Sequence, residues 1–205
     1  MELETTLLIV IAWIVGAGSP GPATLAISAT AMEHGRKAGI VIAAGICAGS
    51  ATWGIAAALG ISSLMLANVW LFELVRYFGA AYLLYLAIKS LKSAFSNSKA
   101  EKVKAPKTNL FFKGALLHLT NPKAILGWGS VYALVLPSDA SGVLVAKLFL
   151  ILIVASVMVF LGYGVLFSLG SVSRFYRKSK RWFELVFGLL FGAASLRLFT
   201  SKLEV

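Results

Sequence analysis

Ser19-Pro20-Gly21-Pro22 stands inside one apolar run, residues 7–31, and Asn121-Pro122-Lys123 inside another, residues 110–136. Proline has no backbone N–H, and its ring clashes with the carbonyl of the preceding turn. In hydrocarbon a carbonyl freed in this way has no bulk water to turn to, so protein, enclosed water or a bound molecule must meet it. Both motifs therefore read as breaks in membrane helices. Broken helices at matching places in two halves of a chain are the pattern of a transporter.

The rest of the chain supports a membrane reading. Its 205 residues are 59% hydrophobic and 13% charged, with a mean hydropathy of +0.87. Soluble domains are seldom so apolar. Six runs are long enough to span a bilayer: residues 7–31, 38–60, 69–88, 110–136, 143–169 and 183–200. They are continuous rather than alternating in segments of about ten residues, so they read as helices and not barrel strands. The expected fold is an all-α integral membrane protein of one polytopic domain, residues 1–205, with six transmembrane helices of which the first and fourth are broken.

Net charge is +11, and its placement explains it. Of 19 Lys and Arg, seven lysines fall in residues 89–113 and five basic residues in 174–181, while Arg36 and Lys37 follow the first run. The opposite connections, residues 61–68 and 137–142, contain none. The positive-inside rule then puts the basic connections in the cytoplasm and both termini in the periplasm. The basic residues are not interleaved with aromatic or motif residues, so no nucleic-acid partner is expected. Met1-Glu2-Leu3-Glu4 has no positive n-region, so the first span is expected to be retained. Cys47, the single cysteine, excludes an intramolecular disulfide and reads as a packing residue.

The two halves resemble each other. Phe72-Glu73-Leu74-Val75 and Gly79-Ala80-Ala81 in span three match Phe183-Glu184-Leu185-Val186 and Gly192-Ala193-Ala194 in span six. The offsets are 102 between Pro20 and Pro122, then 111 and 113 for the later pairs. With three spans in each half, the second half enters the membrane in the opposite sense. The reading is two inverted three-helix repeats, about residues 1–92 and 108–205, joined by a basic cytoplasmic linker, 93–107. A binding site is then expected near the midplane, where the broken helices meet.

The candidate substrate-binding residues are Ser19, Pro20, Gly21, Pro22, Asn121, Pro122 and Lys123. The helix end after Pro22 aims N–H groups and partial positive charge at an anion such as a carboxylate, and carbonyls before the break suit an ammonium. The competing reading is a kink used only for packing. Lys123 lies mid-span, where an ammonium costs about 2.5–3.5 kcal/mol and must face the bundle or a wet cavity. With Asn121 it can hold a carboxylate; alternatively it caps carbonyls released by Pro122. Glu73 and His118 are candidates for proton coupling. Glu73 pairs equally well with Arg76 three residues on, and a lone histidine is often structural. Glu184 and Arg197 are expected to reach the interface. Of the tryptophans only Trp70 and Trp182 read as interfacial. Gly45-xxx-Gly49 and Gly188-xxx-Gly192 allow close helix packing, within the bundle or in a homo-oligomer.

Together Ser19-Pro20-Gly21-Pro22, Gly35-Arg36-Lys37-Ala38-Gly39, Gly45, Gly79-Ala80-Ala81-Tyr82-Leu83, Phe112-Lys113-Gly114 and Asn121-Pro122-Lys123-Ala124 resemble the LysE/RhtB amino-acid exporters over nearly the whole chain. The resemblance implies a bacterial inner-membrane exporter of amino acids or their derivatives, driven by the proton motive force. It names no single substrate, and no Asp or Glu obviously deep in a span marks the coupling residue. Efflux by alternating access is the leading expectation, with a fixed Lys123 favouring neutral amino acids over lysine or arginine. A metal-ion exporter would need clustered soft or carboxylate ligands, which one Cys and two His do not supply. A membrane enzyme would need a nucleophile with a base, a metal site or a redox pair, and none is visible. No cofactor is expected.

Overall fold

A computed structural model describes residues 3–67, 69–95, 108–137 and 140–200. Among them the regular structure is helical throughout: α1 (Leu3–Gly18), α2 (Pro22–Ala67), α3 (Val69–Phe95), α4 (Leu110–Leu119), α5 (Pro122–Val135), α6 (Gly142–Leu166) and α7 (Gly170–Thr200). Local sequence explains the boundaries. Pro20 and Pro22 stop α1, and Pro22 then opens α2 at the first helical position, where its missing N–H costs nothing. Pro122 does the same for α5 behind the N-cap Asn121. Leu136 is extended (φ −90°, ψ 130°) before Pro137 and closes α5. Ser141 caps α6 by accepting from Leu144 N.

Three connections are more helical than the hydropathy pattern predicts. The turn after the first apolar run shrinks to Gly35, whose φ of 82° lies in the left-handed region that glycine enters without strain. Residues 61–67 continue α2, and the basic stretch 174–181 forms the first turns of α7. Neither contains Pro or Gly, and Leu, Met, Lys and Arg are good helix formers, so nothing in either stretch ends the helix. Residues 96–107, most of the expected linker, lie outside the described part.

Two segments, Pro22–Gly60 and Gly142–Leu166, are long and apolar enough by themselves to cross a membrane. The pieces α1 and α4 are shorter because the breaks cut them. Apolar side chains cover outward faces as well as the interior: on α6 Leu150, Val154 and Met158 are exposed while Leu148, Leu152 and Ala155 are buried. A helix apolar on all sides suits a lipid surround.

Glycines set the helix contacts. A Cβ on Gly45 would lie 1.9 Å from Phe111 O, and one on Gly114 2.3 Å from Ile42 O, so α2 and α4 touch backbone to backbone. Further along, Gly49 meets Ala115 and Trp53 meets Leu119, so from Gly45 and Phe111 onward the partner numbers rise together and the two helices are parallel. Gly39 meets Gly164, and Gly54 meets Phe149, so α2 and α6 are antiparallel. α3 and α7 are antiparallel too: Ser195 Oγ donates to Ala80 O (2.8 Å), and Gly188 takes Leu91. α1 and α6 run parallel, with Trp13 opposite Ser156 and Gly18 opposite Val159. One core cluster, including Ile27, Ile42, Ile46 and Phe160, lies where α2 turns back on itself and meets α6; a second, around Trp128, Tyr132, Leu148 and Leu152, joins α5 to α6.

Gly45→Ala should therefore destabilise the fold by overpacking, of order 1–3 kcal/mol or more. Gly162→Ala is the control, because a Cβ there meets nothing within 4 Å. Thermal melting of both proteins in detergent checks this: a drop for the first and no change for the second is expected.

Candidate functional site

The first break shows where freed carbonyls go. In an unbroken helix Gly16 O and Gly18 O would accept from residues 20 and 22, which are prolines. Instead the Ser19 hydroxyl donates to Gly16 O (2.7 Å) and the Tyr163 hydroxyl, arriving from α6, donates to Gly18 O. Gly21 N donates to Thr24 Oγ1 (3.1 Å), and the Thr24 hydroxyl lies 3.1 Å from Ser19 O and 3.2 Å from Gly21 O. Thr24 thus closes the N-terminal end of α2 from inside the helix, much as an N-cap side chain does.

The second break is settled the same way. Pro122 removes the donor that would meet His118 O, and Asn121 N takes that carbonyl (3.1 Å). Lys123 N turns to the Asn121 side-chain oxygen (3.1 Å), and the Trp53 indole from α2 fills Leu119 O (3.1 Å). Asn121 is buried and its carbonyl oxygen is committed to capping α5.

Lys123 joins the two breaks. Its ammonium donates to Ser19 O (3.1 Å) and to Ser19 Oγ, 104 positions away in sequence. This corrects one expectation: the carbonyls freed by Pro122 are held by Asn121 N and Trp53, not by Lys123. The Ser19 carbonyl before the first break accepts from the Lys123 ammonium. Gly21 lies beside the lysine: a Cβ there would stand 3.5 Å from Nζ, at ordinary contact distance. On another side the Phe191 ring of α7 has its centroid 5.6 Å from Nζ. Ser19, Gly21 and Lys123 thus form one cluster, while the prolines shape it and Asn121 spends its side-chain oxygen on the cap of α5.

The coupling candidates are placed less centrally. His118 is buried in α4 with its ring edge-on to Phe160 at 5.4 Å, and Nδ1 has no partner among the described residues. No hydrogen bond joins it to Lys123 there. Glu73 falls within α3, but its side chain, like those of Arg76, Arg197 and Trp70, lies outside what the structure describes. Glu184 was expected at the interface and is instead buried between α7 and α3, where Ser93 Oγ donates to its carboxylate (3.3 Å). FELV at the start of an apolar run gave no hint that the helix before it would extend and cover this residue. Burial, then the neighbouring Tyr163 and Glu184, push the Tyr176 phenol up to about 12.

Three tryptophans that read as scattered have definite tasks. Besides Trp53, Trp128 Nε1 donates to Ser50 Oγ (3.0 Å) and Trp13 Nε1 to Ser156 Oγ (2.8 Å), with the Trp13 and Trp128 rings in a T at 4.6 Å. Each indole N–H bridges to a different helix, which seats the ring in the bundle without orphaning its donor.

This arrangement can be set beside known proteins. The family model described as LysE type translocator matches residues 14–202. The chain belongs to that family. It is a membrane translocator and not an enzyme. It is 30% identical over 195 residues to the threonine efflux protein of Escherichia coli K12, covering 92% of this chain and 94% of that one. It is 34% identical over 186 residues to the leucine efflux protein of Enterobacter sp. strain 638, covering 87% of each, and 32% identical over 187 residues to that of Klebsiella pneumoniae, covering 88% of each. No solved structure matches it.

In this translocator Trp53→Phe keeps an aromatic ring, though a smaller one, and strands Leu119 O. The expected cost is about 1–3 kcal/mol. Thermal melting in detergent measures it, and a melting point equal to wild type would show that another donor replaces the indole.

Proposed function

We propose that this LysE-family protein exports neutral amino acids across the bacterial inner membrane by alternating access, coupled to protons. The observation that carries the reading is the Lys123 ammonium bound to Ser19 across the two helix breaks. A zwitterion can replace that internal pairing group for group. Its carboxylate takes the Lys123 ammonium, and its own ammonium takes Ser19 O, so no buried charge or acceptor is left alone on loading or release. Lysine or arginine would bring a further cation towards Lys123. The relatives named for threonine and leucine efflux, both neutral amino acids, agree with this.

Six spans in two inverted repeats are part of the same reading. The parallel pairs α2 with α4 and α1 with α6, and the antiparallel pairs α2 with α6 and α3 with α7, are the directions that six alternating passes require. On this reading α1 and the start of α2 form the first span, α4 and α5 the fourth, and both termini lie in the periplasm. Closure would bring Lys123 to Ser19, and opening on either side would part the two breaks. Proton coupling has three candidate groups: Glu73, His118 and the buried Glu184.

Lys123→Ala should abolish export while protein remains in the membrane. Efflux of labelled threonine and leucine from cells, with and without a protonophore, tests it; near-normal efflux from a well-expressed variant would remove Lys123 from the substrate site. For coupling, Glu73→Gln and Glu184→Gln are compared across external pH. The variant of a proton carrier should lose the pH dependence of efflux, whereas an unchanged profile assigns that residue to packing or ion pairing.

A further inference from the structure

Lys123 has three N–H donors, and Ser19 O and Oγ engage it on one side. Gly21 lies against its stem and ammonium, offering backbone only. The large side chain placed beside the ammonium comes from another helix: Phe191 of α7, ring centroid 5.6 Å from Nζ. That separation is near the outer limit for a cation–π contact, so the pairing itself is weak. The ring is nonetheless fixed. It is buried, packs with Leu86 and Ala87 of α3, and has Phe187 one turn away at 6.4 Å. Phe191 is thus a rigid apolar wall facing a charge that the described residues satisfy only in part.

We propose that Phe191 determines which amino-acid side chains the exporter accepts, by limiting the volume next to the carboxylate anchor. The inference rests on Lys123 holding the substrate carboxylate. The Cα of an amino acid is one bond from its carboxylate carbon, so with the carboxylate on Lys123 the side chain begins within a few ångströms of Nζ. Ser19 and Gly21 occupy the side of the ammonium towards the first break. The substituent must therefore turn towards α7, where Phe191 meets it. An apolar wall contacts aliphatic groups favourably and offers no hydrogen-bond partner to a charged one, which matches a neutral substrate class. Pockets of this kind discriminate by roughly 10–200-fold for a change of one methylene.

The test is the efflux profile of cells preloaded with labelled alanine, threonine, leucine and phenylalanine, for wild type and for Phe191→Leu, Phe191→Ala and Phe191→Trp. The ratio of large to small substrates is read within one culture, so expression level cancels. Phe191→Ala should raise the leucine-to-alanine and phenylalanine-to-alanine ratios about 10-fold. Phe191→Trp should lower them, and Phe191→Leu should fall between Phe191→Ala and wild type. If all ratios stay at the wild-type value, or if every variant loses all four substrates equally while present at wild-type level, Phe191 is a packing residue and the proposal falls. Wild-type cells that export none of the four would overturn the amino-acid reading itself, a different result from an unchanged ratio.

Discussion

A carbonyl stripped of its helical partner inside a low-dielectric bundle must find another donor, at a cost of about 1–3 kcal/mol if it does not. Pro20, Pro22 and Pro122 impose this requirement at two places, and much of the tertiary structure answers it. The donors come from Ser19 itself, Tyr163 on α6, Trp53 on α2 and Lys123 beside the other break. Because these donors sit on different helices, the breaks pin the bundle together at the very points where its backbone is least regular.

The same requirement gives the site its chemistry. An ammonium and a set of unpaired carbonyls are each expensive alone in a membrane, and here they neutralise each other. The ammonium and the Ser19 oxygens are the complements of the carboxylate and ammonium of a zwitterion. On the proposed reading, exchange with substrate preserves the polar balance, and binding energy is available to bias the positions of the two breaks. Around this polar centre the helices approach through glycine: α2 against α4 at Gly45 and Gly114, α2 against α6 at Gly39 and Gly164. Such contacts leave little slack, since a single Cβ would overlap the facing backbone.

Reading the residues in order located the two helix breaks but misjudged how some of their groups are used. The prolines, Ser19, Gly21 and Lys123 were legible because each violates what a membrane helix tolerates, and a violation stands out in an apolar sequence. Asn121 was legible as polar but not as a cap, since that depends on the turn which Pro122 sets. Tyr163, Trp53, Thr24 and Phe191 carry no such mark, because aromatic and hydroxyl side chains are common in spans. Glu184 was misplaced for a related reason: its burial depends on α3 lying against it and on the basic stretch before it being helical, and hydropathy averages see neither.

The sequence alone determined an apolar helical chain, the two helix breaks and the charge asymmetry, because these follow from local chemistry: a missing N–H, a run length, the sign of side chains in a connection; its ordered motifs carried the family resemblance. Only the tertiary structure decided that Lys123 serves the opposite break and not its own. It also decided which aromatic donors fill the freed carbonyls, and that Phe191 stands beside the ammonium. These are pairings between residues as far as 145 positions apart, and such a pairing is set by how glycine faces let helices pack, not by any pattern within a single helix.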